Sequence, residues 1–66
     1  MRIIVNDDPL DLPEQSNVQE MLARLGLTQK PCAVEINKTL VPKRDHDRTT
    51  LAEGDRVEIV TLVGGG

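Results

Sequence analysis

The chain opens on Arg2-Ile3-Ile4-Val5, a β-branched apolar run. It then breaks into Asn6-Asp7-Asp8-Pro9, residues that favour turns through side-chain bonds to the backbone and, at Pro9, through a fixed φ. This pattern predicts a strand and a hairpin, with Leu10 to Leu12 as the short second strand. Ser16 stands three residues before Gln19, the spacing of a capping box, in which a hydroxyl accepts an early helical N–H and an amide side chain reaches back. A helix is therefore expected to begin at Asn17. Within it Val18, Met21, Leu22 and Leu25 fall at i, i+3, i+4 and i+7, one apolar stripe, while Gln19, Glu20 and Arg24 face away. Gly26 suits a left-handed C-terminal cap.

After Pro31 the run Cys32-Ala33-Val34-Glu35-Ile36-Asn37 alternates in part and ends in Asn-Lys, which predicts a strand turning toward Leu40-Val41. Pro42 makes that fourth strand short or an edge. Lys43 to Thr50 is polar, with at most one helical turn, and Glu53-Gly54-Asp55 turns the chain into a last strand, Arg56 to Leu62. One amphipathic helix among strands buries its stripe only by lying across one face of a mixed sheet. The expected fold is α+β: a β-grasp with four to five strands and one main helix, the first and last strands parallel and adjacent at the centre. A ferredoxin-like fold is the alternative, but Lys43 to Thr50 lacks the apolar period of the second helix it requires.

Composition narrows the function. The 66 residues contain no Phe, Tyr or Trp, so the core consists of aliphatic side chains, each contributing about 1.5–3 kcal/mol when a large one is fully buried. Such a core leaves little room for an internal ligand. Eleven acidic against eight basic residues give a formal charge of −3, with only Lys43-Arg44 adjacent among the basic ones. Nucleic acid is an unsuitable partner for this distribution, since phosphate recognition needs a clustered basic face and stacking aromatics. A single cysteine forms no internal disulfide, and no second thiol or His-rich cluster stands at metal-ligand spacing. With no apolar run near the roughly 20 residues of a membrane span and no signal-peptide profile at the start, a soluble, cytoplasmic protein is expected.

No catalytic constellation is present. Cys32 begins a predicted strand with no base or positive charge adjacent to it and reads as a small, partly buried residue. His46, between Asp45 and Asp47, reads as a solvated loop residue. Period-two alternation sends Val57 and Ile59 toward the helix, with Thr61 following them, and Val60 and Leu62 outward. The same alternation turns Ile4 outward, beside Val60 if the two strands are neighbours. Ile4, Val60, Leu62 and the adjoining Val63 thus form a candidate partner-binding patch, against the alternative of scattered apolar exposure common to any domain. Beyond it, Gly64-Gly65-Gly66 follows a domain expected to span residues 1–63. Three residues without side chains extend freely and enter a channel too narrow for a Cβ, delivering an unhindered carboxylate for activation as an acyl adenylate. A plain frayed terminus is the other reading of the same residues.

The opening Ile-Val-Asn strand, the helix Val18 to Leu25, Ala33-Val34-Glu35-Ile36-Asn37, Val41-Pro42-Lys43, Gly54-Asp55-Arg56-Val57-Glu58-Ile59-Val60 and the tail Val63-Gly64-Gly65-Gly66 together resemble the ubiquitin-like sulfur carrier proteins of bacterial thiamin biosynthesis (ThiS). The Gly-Asp turn and terminal di-glycine also occur in the small subunits of molybdopterin synthase and in ubiquitin-like modifiers, which stand as alternatives. The resemblance implies that the carboxylate of Gly66 is adenylated by a ThiF-like adenylyltransferase using Mg-ATP. It also implies that sulfur from a cysteine desulfurase route converts that carboxylate to a thiocarboxylate, and that thiazole synthase (ThiG) receives the sulfur. Gly65 and Gly66 match the family's terminal pair, and Gly64 extends it. Lys43 stands where the family often has Arg. The chain would then be a carrier and co-substrate with no cofactor of its own.

Overall fold

The computed structural model describes residues 1–62. Five strands, β1 (Arg2–Val5), β2 (Asp8–Asp11), β3 (Cys32–Ile36), β4 (Thr39–Val41) and β5 (Arg56–Thr61), form one sheet in the order β2-β1-β5-β3-β4. β1 and β5 are parallel and every other pairing is antiparallel. The helix α1 (Val18–Arg24) supplies the buried residues Val18, Met21 and Leu22 to the core on one face, and a 3-10 turn (Lys43–Asp45) follows β4. This is the β-grasp arrangement expected from the pattern. Ile3, Val18, Met21, Val34 and Val57 are completely enclosed, so the centre of the core joins β1, α1, β3 and β5.

Both hairpins turn through two residues at positive φ, Asn6 (48°) with Asp7 (72°) and Asn37 (50°) with Lys38 (72°). Turns of this kind match the right-handed twist of the flanking strands, and Asn adopts the left-handed region at little cost. The tight first turn starts β2 at Asp8, earlier than the Leu10 expected, and places Pro9 inside the strand opposite Ile4. Ile4 directs its own backbone N–H to Asp55 O on the β5 side. The Ile4–Pro9 pair is thus a non-hydrogen-bonded one, and the missing donor of Pro9 falls on the outer side of an edge strand, where proline is tolerated.

The helix start differs from expectation by one residue. Asn17 is the N-cap: its Oδ1 accepts the Glu20 N–H at 2.7 Å while Glu20 Oε1 accepts the Asn17 N–H at 2.9 Å. Ser16 is buried and donates its hydroxyl to Pro13 O at 2.7 Å, so it is not available to cap. At the other end Gly26 is left-handed at φ 74°, with Gly26 N–H bonded to Ala23 O and Leu27 N–H to Leu22 O, the paired bonds of a Schellman cap. That cap turns Leu27 toward the core and leaves Leu25, expected on the buried stripe, 37% exposed.

His46 is a second correction. It is buried, with Nε2 3.2 Å from Val41 O, and its own carbonyl accepts the Gln19 N–H at 3.0 Å while Thr49 O accepts that of Val18. The loop after β4 therefore folds over the start of α1 and satisfies donors that a helix leaves open. The flanking aspartates made His46 read as solvated, but the 3-10 turn carries the ring inward. Among the described residues no helix is long and apolar enough to cross a membrane.

Candidate functional site: the open sheet face and the end of β5

Alternation along β5 buries Val57 and Ile59 under α1 and exposes Val60 and Leu62, which are 57% and 52% accessible on or beside the opposite face. Val60 is the register partner of Ala33 in β3. One strand farther, Leu40 of β4 pairs with Glu35 and is 58% exposed. Leu40 was missed in the sequence. The signal was available, because a two-residue Asn-Lys turn fixes Leu40 opposite Glu35 and hence on the same face as Ala33.

Ile4 lies elsewhere. It is half-buried on the open face, but its partner in β5 is Arg56, not Val60, because β1 pairs only with the start of that strand. From Arg56 to Val60 is roughly 13 Å at about 3.3 Å per residue. The apolar end of the face is thus made by Leu40, Ala33, Val60 and Leu62, and Ile4 is not part of it. Val63, Gly64, Gly65 and Gly66, assigned to the patch and the tail, lie outside the described residues.

Two asparagine side chains fix the strand that leads to this end. Asn6 Oδ1 accepts the Ile59 N–H at 2.9 Å and Asn6 Nδ2 donates to Ile59 O at 3.1 Å, so the amide replaces the strand residue that β1 lacks there. From the other side Asn37 Oδ1 accepts the Arg56 N–H at 3.0 Å, and the Asn37 N–H bonds Arg56 O at 2.7 Å. At the far end, the Leu62 N–H donates to Pro31 O at 2.8 Å, which extends the β3–β5 pairing past the strand proper.

The charges on the open face are unevenly balanced. Arg2 Nε and Nη2 hold both oxygens of Asp11 at 2.9 and 3.2 Å, and this hydrogen-bonded cation keeps the Asp11 carboxyl below the usual carboxylate range. Glu35 and Glu58 are direct register partners, and neither joins an ion pair among the described residues. Cys32 is half-buried and donates its thiol to Lys30 O at 3.3 Å. Among the described residues no three of His, Cys, Asp and Glu converge as metal ligands. Among the described residues the arrangement presents a surface and a strand end, with no acid–base or nucleophilic pair.

Residues 1–66 match the profile of the ThiS family. The sulfur carrier protein ThiS of Escherichia coli is 27% identical over 66 residues, covering all of both chains. The thiazole synthase of Paramagnetospirillum magneticum is 32% identical over 66 residues, which are all of this chain and 20% of that protein, so this chain spans about a fifth of that relative's length. In three dimensions, the crystal structure of a thiamine biosynthesis protein (ThiS) from Geobacter metallireducens matches with a TM-score of 0.83 at 35% identity, covering all of both chains. With sequence profile and whole-chain geometry in agreement, the chain belongs to the ThiS family.

Proposed function

We infer that this chain is the sulfur carrier of thiamin biosynthesis, with the carboxylate of Gly66 as its reactive group. The observation that carries the reading is the match to the ThiS family over residues 1–66, a span that includes the three glycines following β5. In the proposed cycle a ThiF-like adenylyltransferase directs the Gly66 carboxylate onto the α-phosphorus of Mg-ATP, releasing pyrophosphate. A persulfide sulfur from a cysteine desulfurase route then displaces AMP, which leaves with one carboxylate oxygen, and reduction of the remaining S–S bond by a thiol frees the thiocarboxylate. Thiazole synthase takes the sulfur and returns the carboxylate. That partner is supported by the thiazole synthase of Paramagnetospirillum magneticum, which carries a segment similar to this whole chain within its own.

The chain supplies no catalytic group in this scheme. Its contribution is presentation: Gly64 to Gly66 bring no Cβ to a narrow channel, and the exposed Val60 and Leu62, which precede them in the chain, offer apolar docking surface. ATP-dependent sulfur transfer and a single thiol fit a cytoplasmic setting. The test is intact mass spectrometry after incubation with Mg-ATP, the adenylyltransferase and a sulfur source. A gain matching replacement of one carboxylate oxygen by sulfur, absent from a variant lacking Gly66, is expected; no gain with a demonstrably active enzyme would sink the reading.

A further inference from the structure

Strand β5 runs out of partners on one side before the other. On the β3 side its pairing continues to the end, through Ala33–Val60 to the bond from Leu62 N–H to Pro31 O. On the β1 side the register covers only Ile4–Arg56 and Val5–Val57. The Asn6 N–H then reaches Val57 O at 2.9 Å, and the Asn6 amide bonds both backbone groups of Ile59. There the chain turns away through the positive φ of Asn6 and Asp7. The next backbone groups on that edge belong to Thr61, and its N–H and C=O meet no partner among the described residues. Thr61 is exposed although alternation puts it on the helix side of the sheet.

Beside this edge a notch of about 310 Å³ opens on the helix side, lined by Leu10, Leu25, Leu27 and Ile59 together with Asn6, Asp8 and Pro9. Leu25 is the apolar residue that the Schellman cap leaves exposed. An unpaired strand edge is satisfied by strand addition, in which main-chain bonds supply affinity and alternate side chains enter neighbouring pockets. A segment laid along Thr61, in the line that β1 vacates, sends every second side chain toward the helix side and its apolar notch.

We propose that this edge receives an extended segment of the adenylyltransferase that takes in the glycine tail, paired to the backbone of Thr61 and seating one aliphatic side chain in the notch. The occupant follows from continuity along the chain: Thr61 stands five residues before Gly66, so the walls of a channel that accepts Gly64 to Gly66 come up against it. This inference rests on the carrier reading and deepens it.

Thr61→Pro tests it, since proline removes the unpaired N–H and leaves every hydrogen bond of the described fold in place, as at other solvent-facing edge positions. Thr61→Val keeps the N–H, and Leu25→Gln replaces one apolar wall of the notch with an amide. Calorimetric titration with the adenylyltransferase is expected to show Thr61→Pro and Leu25→Gln each weakened about tenfold, the equivalent of one lost hydrogen bond or apolar contact, and Thr61→Val unchanged. Amide exchange on the wild type adds a readout independent of folding: Thr61 N–H should be unprotected alone and protected in the complex. Wild-type affinity in both weakened variants, or a Thr61 amide equally exposed in the complex, overturns the edge while sulfur loading of the wild type leaves the carrier reading standing. Absence of both binding and sulfur loading in the wild type overturns both.

Discussion

Asn6 shows how much one side chain holds in place. Its amide makes two hydrogen bonds to Ile59, 53 positions away, and its backbone sits in a conformation costly for most residues. Asn6→Ala is expected to destabilise the fold by about 2–4 kcal/mol, summing two modest hydrogen bonds and the left-handed strain. Asn6→Gly relieves the strain and should cost only about 1–2 kcal/mol, for the lost bonds alone. Urea unfolding of both variants checks this: equal losses would mean the left-handed strain contributes nothing, and no loss in Asn6→Gly would mean the same of the amide bonds. The turn at Asn6 was legible because Asn-Asp after an apolar run is turn chemistry. The clamp on Ile59 was not, since it exists only once β1 and β5 are neighbours. His46 was misread for a related reason: adjacent charges describe the local chain, whereas burial there is decided by Val41 O and the start of α1.

At the scale of elements, α1 has seven residues and depends on its ends. Isolated helices that short are unstable in water, so capping and the packing of Val18, Met21 and Leu22 sustain it. Asn17→Ala should lower stability by about 1 kcal/mol through loss of the cap. Gln19→Ala, at the position that the Ser16 spacing nominated, should change it by less than about 0.5 kcal/mol, the usual range for exposed substitutions. Thermal unfolding of the pair separates the two caps, and the reverse order would restore the Ser16–Gln19 box. The helix itself was plain in the sequence from its apolar period, while its first residue was not, because Ser16 and Asn17 both qualify as caps. Only the Pro13 carbonyl, which takes the Ser16 hydroxyl, decides between them. Strand boundaries slipped in the same way at Asp8, where a turn of two residues leaves more chain for pairing than a longer one.

At the scale of the whole molecule, the sheet divides the labour between its faces: one face buries the core under α1 and the other offers Leu40, Ala33, Val60 and Leu62. Since Val60 is exposed, Val60→Glu should leave the unfolding midpoint within a few degrees of wild type. As an anchor of the proposed docking face, it should also slow thiocarboxylate formation about tenfold or more. Undiminished loading in that variant would remove the face from the docking scheme. The fold class was legible from the helix and strand periods, and the outward turn of Val60 and Leu62 from alternation, but Leu40 needed the turn and the place of Ile4 was not legible, because register between strands 52 positions apart leaves no mark in a single sequence. That separation has a consequence for synthesis. A nascent chain that has emerged only as far as Asp55 owns two hairpins and a helix but lacks the strand that lies between them. Its long-range pairing must wait for β5, as loop closure precedes the contacts that reward it. A folded copy is therefore one that already carries β5, the strand that precedes Gly64, Gly65 and Gly66 in the chain.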